Sequence, residues 1–193
     1  MRRIVLTGGP GAGKTVICKL LASRYPARFA AVPEAATQVY EQTRTRWDRL
    51  DLDGRRAVQR QIYRLQVEQE ERAGREHDGK VLLLDRGTMD GSAYWPDGPE
   101  DYRRALGITH RAELERYDAV IWMESCAAVG AYDGAATNPV RYEDAAEALA
   151  CGEALRRVWA GHPRLVVVEA YPTIEEKVAR VEGVLRGWDL MRT

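Results

Sequence analysis

The stretch LTGGPGAGKT, residues 6–15, decides how the rest of the chain is read. Gly8, Gly13, Lys14 and Thr15 fit the spacing G-x-x-x-x-G-K-[ST] without substitution. The glycines let consecutive backbone N–H groups turn inward around an anion. The lysine reaches the β- and γ-phosphates, and the hydroxyl ligates Mg²⁺. An apolar, β-branched run, RRIVLTG (2–8), precedes the loop, and a helical pattern over 15–24 follows it. That order points the positive end of the helix at the bound phosphates. The sequence thus predicts a nucleotide cradle made of Gly8, Gly9, Pro10, Gly11, Ala12, Gly13, Lys14, Thr15 and Val16.

Outward from the loop, short apolar runs alternate with longer helical patterns. RFAAVPE (28–34), KVLLLDRG (80–87), DAVIWMES (118–125) and RLVVVEA (164–170) join 2–8 as strands, and Pro33 closes the second of them. Near-continuous apolar runs of this kind suit strands covered on both faces. Helices are expected over 55–76, after the turn-like DLDG, over 144–159, and over 173–186. The last opens with the capping pair Thr173 and Glu176 and keeps Val178, Val181 and Leu185 on one face. Strand–helix alternation means right-handed crossovers, a parallel sheet, and a ligand site at the carboxyl ends of the strands. No repeat or linker breaks the pattern, so 1–193 reads as one domain.

Composition narrows the partners. Lys plus Arg and Asp plus Glu number 29 each, so no net positive field draws in nucleic acid or an anionic membrane. Cys18, Cys126 and Cys151 are widely spaced, which argues against a disulfide framework or a zinc site. The apolar run at the start is too short for a signal sequence, and no segment approaches a membrane span; a cytoplasmic protein is expected.

A strand ending in a carboxylate, VLLLD up to Asp85, is the partner a phosphate loop needs for its metal, so Thr15 and Asp85 are the expected Mg²⁺ ligands. Neither N-K-x-D nor T-K-x-D follows the later strands, which removes the guanine-reading element of GTPase switches. L-S-G-G-Q is also missing, and with it the transporter ATPases. What is left is the small-kinase branch.

Two further segments carry a resemblance to that branch. AVPEAA (31–36) looks like the V-P-E-P segment that ends the second strand of deoxynucleoside kinases. LLDRGTMDGSAY (83–94) looks like the segment ending the third strand in those enzymes and in thymidylate kinases. The chain as a whole resembles AAA-type P-loop domains related to ribosylnicotinamide kinase. The resemblance implies a three-layer α/β P-loop NTPase fold, with a five-stranded parallel sheet in the order 2-3-1-4-5 and a short lid at about 126–144. It implies ATP or GTP as phosphoryl donor and Mg²⁺ as cofactor. Glu34 or Asp85 would serve as the base on the acceptor hydroxyl; either assignment suits the segments.

Arg86 would face the charge that spreads over the phosphoryl oxygens. Asp90 is a candidate for metal, acceptor or turn. Arg141 is the only arginine of GAYDGAATNPVRYED (130–144), the expected lid, and would close on the γ-phosphate. Tyr171 and Pro172, in EAYP after the last strand, would wrap the donor base by resemblance. Tyr40, Arg44, Arg46, Trp47, Gln59, Tyr63, Tyr94 and Trp95 fall where an acceptor pocket could form.

The expected activity is transfer of a γ-phosphate to a hydroxyl of a small, nucleoside-like acceptor. The alternative is a regulatory ATPase or GTPase acting on water or a protein partner. Oligomeric state is open, a homodimer included.

Overall fold

The computed structural model describes residues 2–131 and 144–191. Arg2–Thr7 form β1, Phe29–Val32 β2, Val81–Asp85 β3, Ala119–Met123 β4 and Leu165–Val168 β5. They make one parallel sheet in the order β2-β3-β1-β4-β5. Helices cover both faces, as in the P-loop NTPase α/β fold. Alternation along β1 shows why two faces are needed: Ile4 and Leu6 point into one core and Val5 into the other. The first core is closed by α1 (Lys14–Arg24) through Ile17 and Leu21, and by a C-terminal helix (Ile174–Gly187) through Val178, Val181 and Leu185. Met89, Tyr117 and Trp159 close the second against Leu82, Leu84 and Val120. Each fully buried side chain of this size stabilises the fold by about 1.5–3 kcal/mol.

Between β2 and β3 lie α2 (Ala35–Thr43), a 3₁₀ turn (Trp47–Arg49) and the long α3 (Leu52–Glu76). The DLDG segment expected to be a turn instead starts α3: the Asp51 side chain accepts from the Gly54 amide at 2.7 Å, a side-chain cap on the first turn. After β3 come a 3₁₀ segment (Thr88–Ala93), α4 (Gly98–Leu106) and α5 (His110–Glu115). A 3₁₀ turn, Cys126–Val129, follows β4, then α6 (Ala145–Trp159) and β5; the C-terminal helix is α7. α2, α4 and α5 were not legible in the sequence, being only six to nine residues long, too short for a periodic pattern to stand out. The capping box of α7 forms as expected, and α6 has its own between Asp144 and Glu147.

The strand order sets the loops after β3, β1 and β4 side by side at one edge. All three cysteines are free thiols. Among the described residues no helix is long and apolar enough to cross a membrane.

Candidate functional site

The loop between β1 and α1 is held by its carbonyls. Gly8 and Gly9 accept from the Lys14 ammonium at 2.8 and 3.0 Å. Pro10 accepts from the Ser125 hydroxyl at 2.5 Å, Gly11 from the Cys126 amide at 3.2 Å, and Ala12 from the Lys177 ammonium at 3.2 Å. Gly13 accepts from the Ile17 amide in the first turn of α1. Every carbonyl from Gly8 to Gly13 is engaged; the Ala12 amide is used within the loop, on the Gly9 carbonyl at 3.3 Å, and the amides of Gly9, Gly11 and Gly13 suit an anion. Two glycines are required by close approach. A Cβ at Gly8, whose φ is +140°, would enter the Met123 carbonyl, and one at Gly9 would enter the Ala148 carbonyl of α6.

Beside the loop, Thr15 donates its hydroxyl to Asp85 Oδ2 at 2.5 Å, while Asp85 Oδ1 is buried without a hydrogen-bond partner among the described residues. An orphaned carboxylate oxygen next to a P-loop hydroxyl is a donor set that fits Mg²⁺, which takes one or two protein oxygens and completes its shell with phosphate and water. The residues present therefore suit the metal. No cluster of three or more His, Cys, Asp or Glu side chains offers a fuller cage among the described residues.

Glu34 leaves β2 at the start of α2 and meets Arg86 across the sheet edge. The Arg86 guanidinium donates through Nε to Glu34 and through Nη1 to Asp90 at 3.1 Å. Arg86 has φ +78°, a left-handed conformation that costs a non-glycine residue of order 1 kcal/mol. Its carbonyl is held by the Gln66 amide at 3.2 Å and its amide donates to Leu6. Asp90 lies in the 3₁₀ segment after β3, its amide donating to the Gly87 carbonyl at 3.0 Å. It is buried, with one oxygen on the Trp159 indole at 2.6 Å and the other on the Thr7 hydroxyl at 2.8 Å and on Arg86.

The two carboxylates are driven apart. Burial would raise Glu34, but the Arg86 guanidinium and the Lys14 ammonium outweigh it and bring Glu34 down from 4.5 to about 2. Burial, and then the Glu34 charge, raise Asp85. One site thus holds an ionised carboxylate beside another whose charge is disfavoured until a cation arrives. A lowered folded-state value means that Glu34 contributes stability above about pH 4.5, lost as the pH falls toward about 2. Glu34→Gln should flatten that part of the unfolding free-energy curve; an unchanged acid limb in urea titrations would show that the pair adds nothing.

Next to Glu34 and Arg86 opens a cavity of about 460 Å³ between α2, α3 and the Thr88–Ala93 segment. Of the residues expected there, Tyr40, Arg46, Trp47, Gln59, Tyr63 and Tyr94 do line it. Arg44 does not: it is exposed and terminates α2 in a left-handed conformation. Trp95 does not either, being buried against Tyr102 with its indole on Asp101. Two edge-to-face aromatic pairs, Trp47 with Tyr94 and Tyr63 with Tyr102, contribute to the walls. The Gln59 amide, 3% exposed, makes no hydrogen bond among the described residues.

The sequence reading missed a polar network behind this cavity. Glu70, fully buried, accepts from Gln66, Tyr117 and Arg116; Glu113 accepts from Tyr63 and Thr88. Tyr117 and Tyr102 bond the Thr88 backbone, so the segment carrying Arg86 is fixed from below. The available signal was the run of polar positions Gln59, Gln66, Gln69 and Glu70 on one side of α3, where an ordinary amphipathic helix would place leucines.

Arg141 and most of the expected lid lie outside the described residues. Val16 is half exposed beside the loop. Tyr171 packs partly against the first core, and Pro172 is exposed.

Comparison with known proteins agrees with this architecture. Residues 3–177 match the family model described as an AAA domain. No curated protein matches the sequence. Among solved structures, a NadR protein in complex with NAD and AMP-PNP is similar with a TM-score of 0.67 at 15% identity, over 100% of this chain and 50% of that one. The chain therefore spans half the length of that relative. The thymidylate kinase of Candida albicans gives a TM-score of 0.70 at 13% identity, covering 99% of this chain and 93% of that one. The deoxyadenosine kinase of M. mycoides with bound dATP gives 0.63 at 15%, covering 95% and 99%. At such identities the likeness is one of fold.

Proposed function

The chain belongs to the AAA domain family, and on that premise we propose that it is a kinase moving the γ-phosphate of a nucleoside triphosphate to a hydroxyl of a small, unphosphorylated, nucleoside-like acceptor. The observation that carries this reading is the walled cavity reaching from α2 to Glu34 and Arg86, beside the phosphate loop. A protein acting only on water has no use for such a chamber, and its volume is in the range of small-ligand sites.

Phosphoryl transfer asks a protein for alignment, charge neutralisation and a proton acceptor. The loop from Gly8 to Val16 would hold the donor phosphates, with Lys14 leaving the Gly8 and Gly9 carbonyls to meet them. Thr15 and Asp85 would hold Mg²⁺, which supplies Lewis-acid neutralisation of the phosphate oxygens when bound. Glu34, at the cavity wall, would orient the acceptor hydroxyl and take its proton, with Asp85 the other carboxylate that could do so. Arg86, turned into the site by its own backbone and by Asp90, would face the developing charge. Arg141 would add to that charge from the lid, and Tyr171 and Pro172 would border the donor base.

The wall chemistry supports an acceptor without a phosphate. Two cations line the cavity, Arg46 and Arg86, against three carboxylates, Glu34, Glu41 and Asp90. Arg86 is engaged by Glu34 and Asp90, and Arg46 is held through two nitrogens by Asp48. An acceptor phosphate would meet a net negative surface. A planar ring, by contrast, could rest on the aromatic walls with the Gln59 amide on its edge.

The test is an acceptor panel of nucleosides and their monophosphates with ATP or GTP and Mg²⁺. Product from nucleosides and none from monophosphates is expected; the reverse pattern would overturn this reading of the pocket. Gln59→Leu should raise the acceptor KM about 10–100-fold and leave the ATP KM unchanged, because a buried amide donor and acceptor lose their ligand partners. Equal KM values in steady-state assays would remove Gln59 from acceptor recognition.

A further inference from the structure

Three consecutive carbonyls at the crown of the loop are gripped from behind by donors outside it. Ser125 Oγ takes Pro10 at 2.5 Å, the Cys126 amide takes Gly11 at 3.2 Å, and Lys177 Nζ takes Ala12 at 3.2 Å. Lys177, on the first turn of α7, is 3% exposed and also donates to the Glu124 carbonyl at 2.6 Å. The next link runs sideways: Glu124 Oε2 accepts from the Ala170 amide at 2.9 Å, just before Tyr171 and Pro172. The end of β4 is therefore a bracket joining the phosphate loop to the segment after β5.

Peptide units in a phosphate loop can flip, and each flip exchanges an inward N–H for an inward carbonyl. The Ala12–Gly13 unit has no anchor inside the loop for its oxygen; that anchor is Lys177. Keeping a lysine for this purpose is costly, because burial disfavours its charge. Its ammonium is spent on two backbone carbonyls, and no carboxylate pairs with it among the described residues.

We propose that Lys177, with Ser125 as its companion, is a positioning residue that locks the phosphate loop in its anion-accepting form and adds a positive charge behind it. The inference rests on the reading of the loop as a nucleotide site. It concerns residues outside the loop motif that touch no phosphate themselves.

The experiment measures binding of inorganic tripolyphosphate and of ATP by calorimetry to the full chain, alongside thermal melting. Lys177→Met keeps the length of the side chain and removes its charge and donors. It should weaken tripolyphosphate binding about tenfold or more in a protein that melting shows to be folded, since the two carbonyls left without a donor cost stability that removal of the buried charge offsets. Val181→Ala, a core change on the same helix, serves as comparison and should lower the melting temperature without moving the affinity. Wild-type affinity in Lys177→Met would overturn the proposal, and so would the same loss of affinity in Val181→Ala. Should Lys177→Met not fold, Ser125→Ala decides: a loss of about threefold or more supports the lock, and unchanged binding overturns it. Failure of the wild type itself to bind tripolyphosphate or ATP would sink the nucleotide reading instead, so the two failures are distinct.

Discussion

Lys14→Ala should lower phosphoryl transfer about a thousandfold while leaving the fold intact. Lys14 is buried, with its ammonium on the Gly8 and Gly9 carbonyls and its charge acting on Glu34 and Asp85. Its removal would take a point charge from the β/γ-phosphate position proposed above, and a charge on a buried group counts for more than one in bulk water. Gly8 and Gly9 would lose their anchor as well, so ATP affinity should fall along with turnover. A single-turnover assay at saturating ATP, with circular dichroism to certify folding, checks both. Turnover within a fewfold of wild type would remove Lys14 from the chemistry.

Asp85→Asn should have an equally large effect on activity and the opposite effect on stability. Asp85 is 1% exposed, one of its oxygens has no hydrogen-bond partner among the described residues, and the Glu34 charge acts on it. Its raised folded-state value means that ionisation works against the native state at neutral pH, so removing the charge should raise the melting temperature of the metal-free protein. The same change would remove the carboxylate proposed to complete a metal donor set with Thr15. Transfer should drop by about two to three orders of magnitude, and added Mg²⁺ should no longer shift the melting curve in the presence of ATP. A variant that is both less stable and fully active would contradict the account of this residue. Active-site groups that cost stability in the empty protein are a common trade.

The strands, and the place of the glycine loop beside Asp85, were readable because each rests on a local rule. Apolar runs ended by Thr7, Val32, Asp85, Met123 and Val168 could only be strands of a covered sheet. The loop from Gly8 to Thr15 declares its conformation through its glycines. Glu34 and Asp85 followed from their positions at strand ends, and strand ends converge in a parallel sheet. The acceptor side obeys no local rule. Trp95 and Tyr94 are adjacent in the chain, yet one is core and the other lines the cavity, because the 3₁₀ segment from Thr88 to Ala93 turns them apart. The clamp of Ser125 and Lys177 on the loop spans sequence separations above one hundred residues, which no periodicity encodes. Asp90 was visible as a candidate and Arg86 lies four residues before it, but its partners Thr7 and Trp159 come from two distant segments.

In the function proposed here, the loop, the carboxylate pair and the cavity form one transfer site. The direct measurement is the fate of label from γ-labelled ATP or GTP incubated with the protein, Mg²⁺ and a mixture of small hydroxyl-bearing metabolites. Label on a small molecule, abolished by Lys14→Ala and by Glu34→Gln, is the predicted result. Label released only as free phosphate, at a rate indifferent to the metabolite mixture, would contradict the claim and make the protein a nucleotide hydrolase.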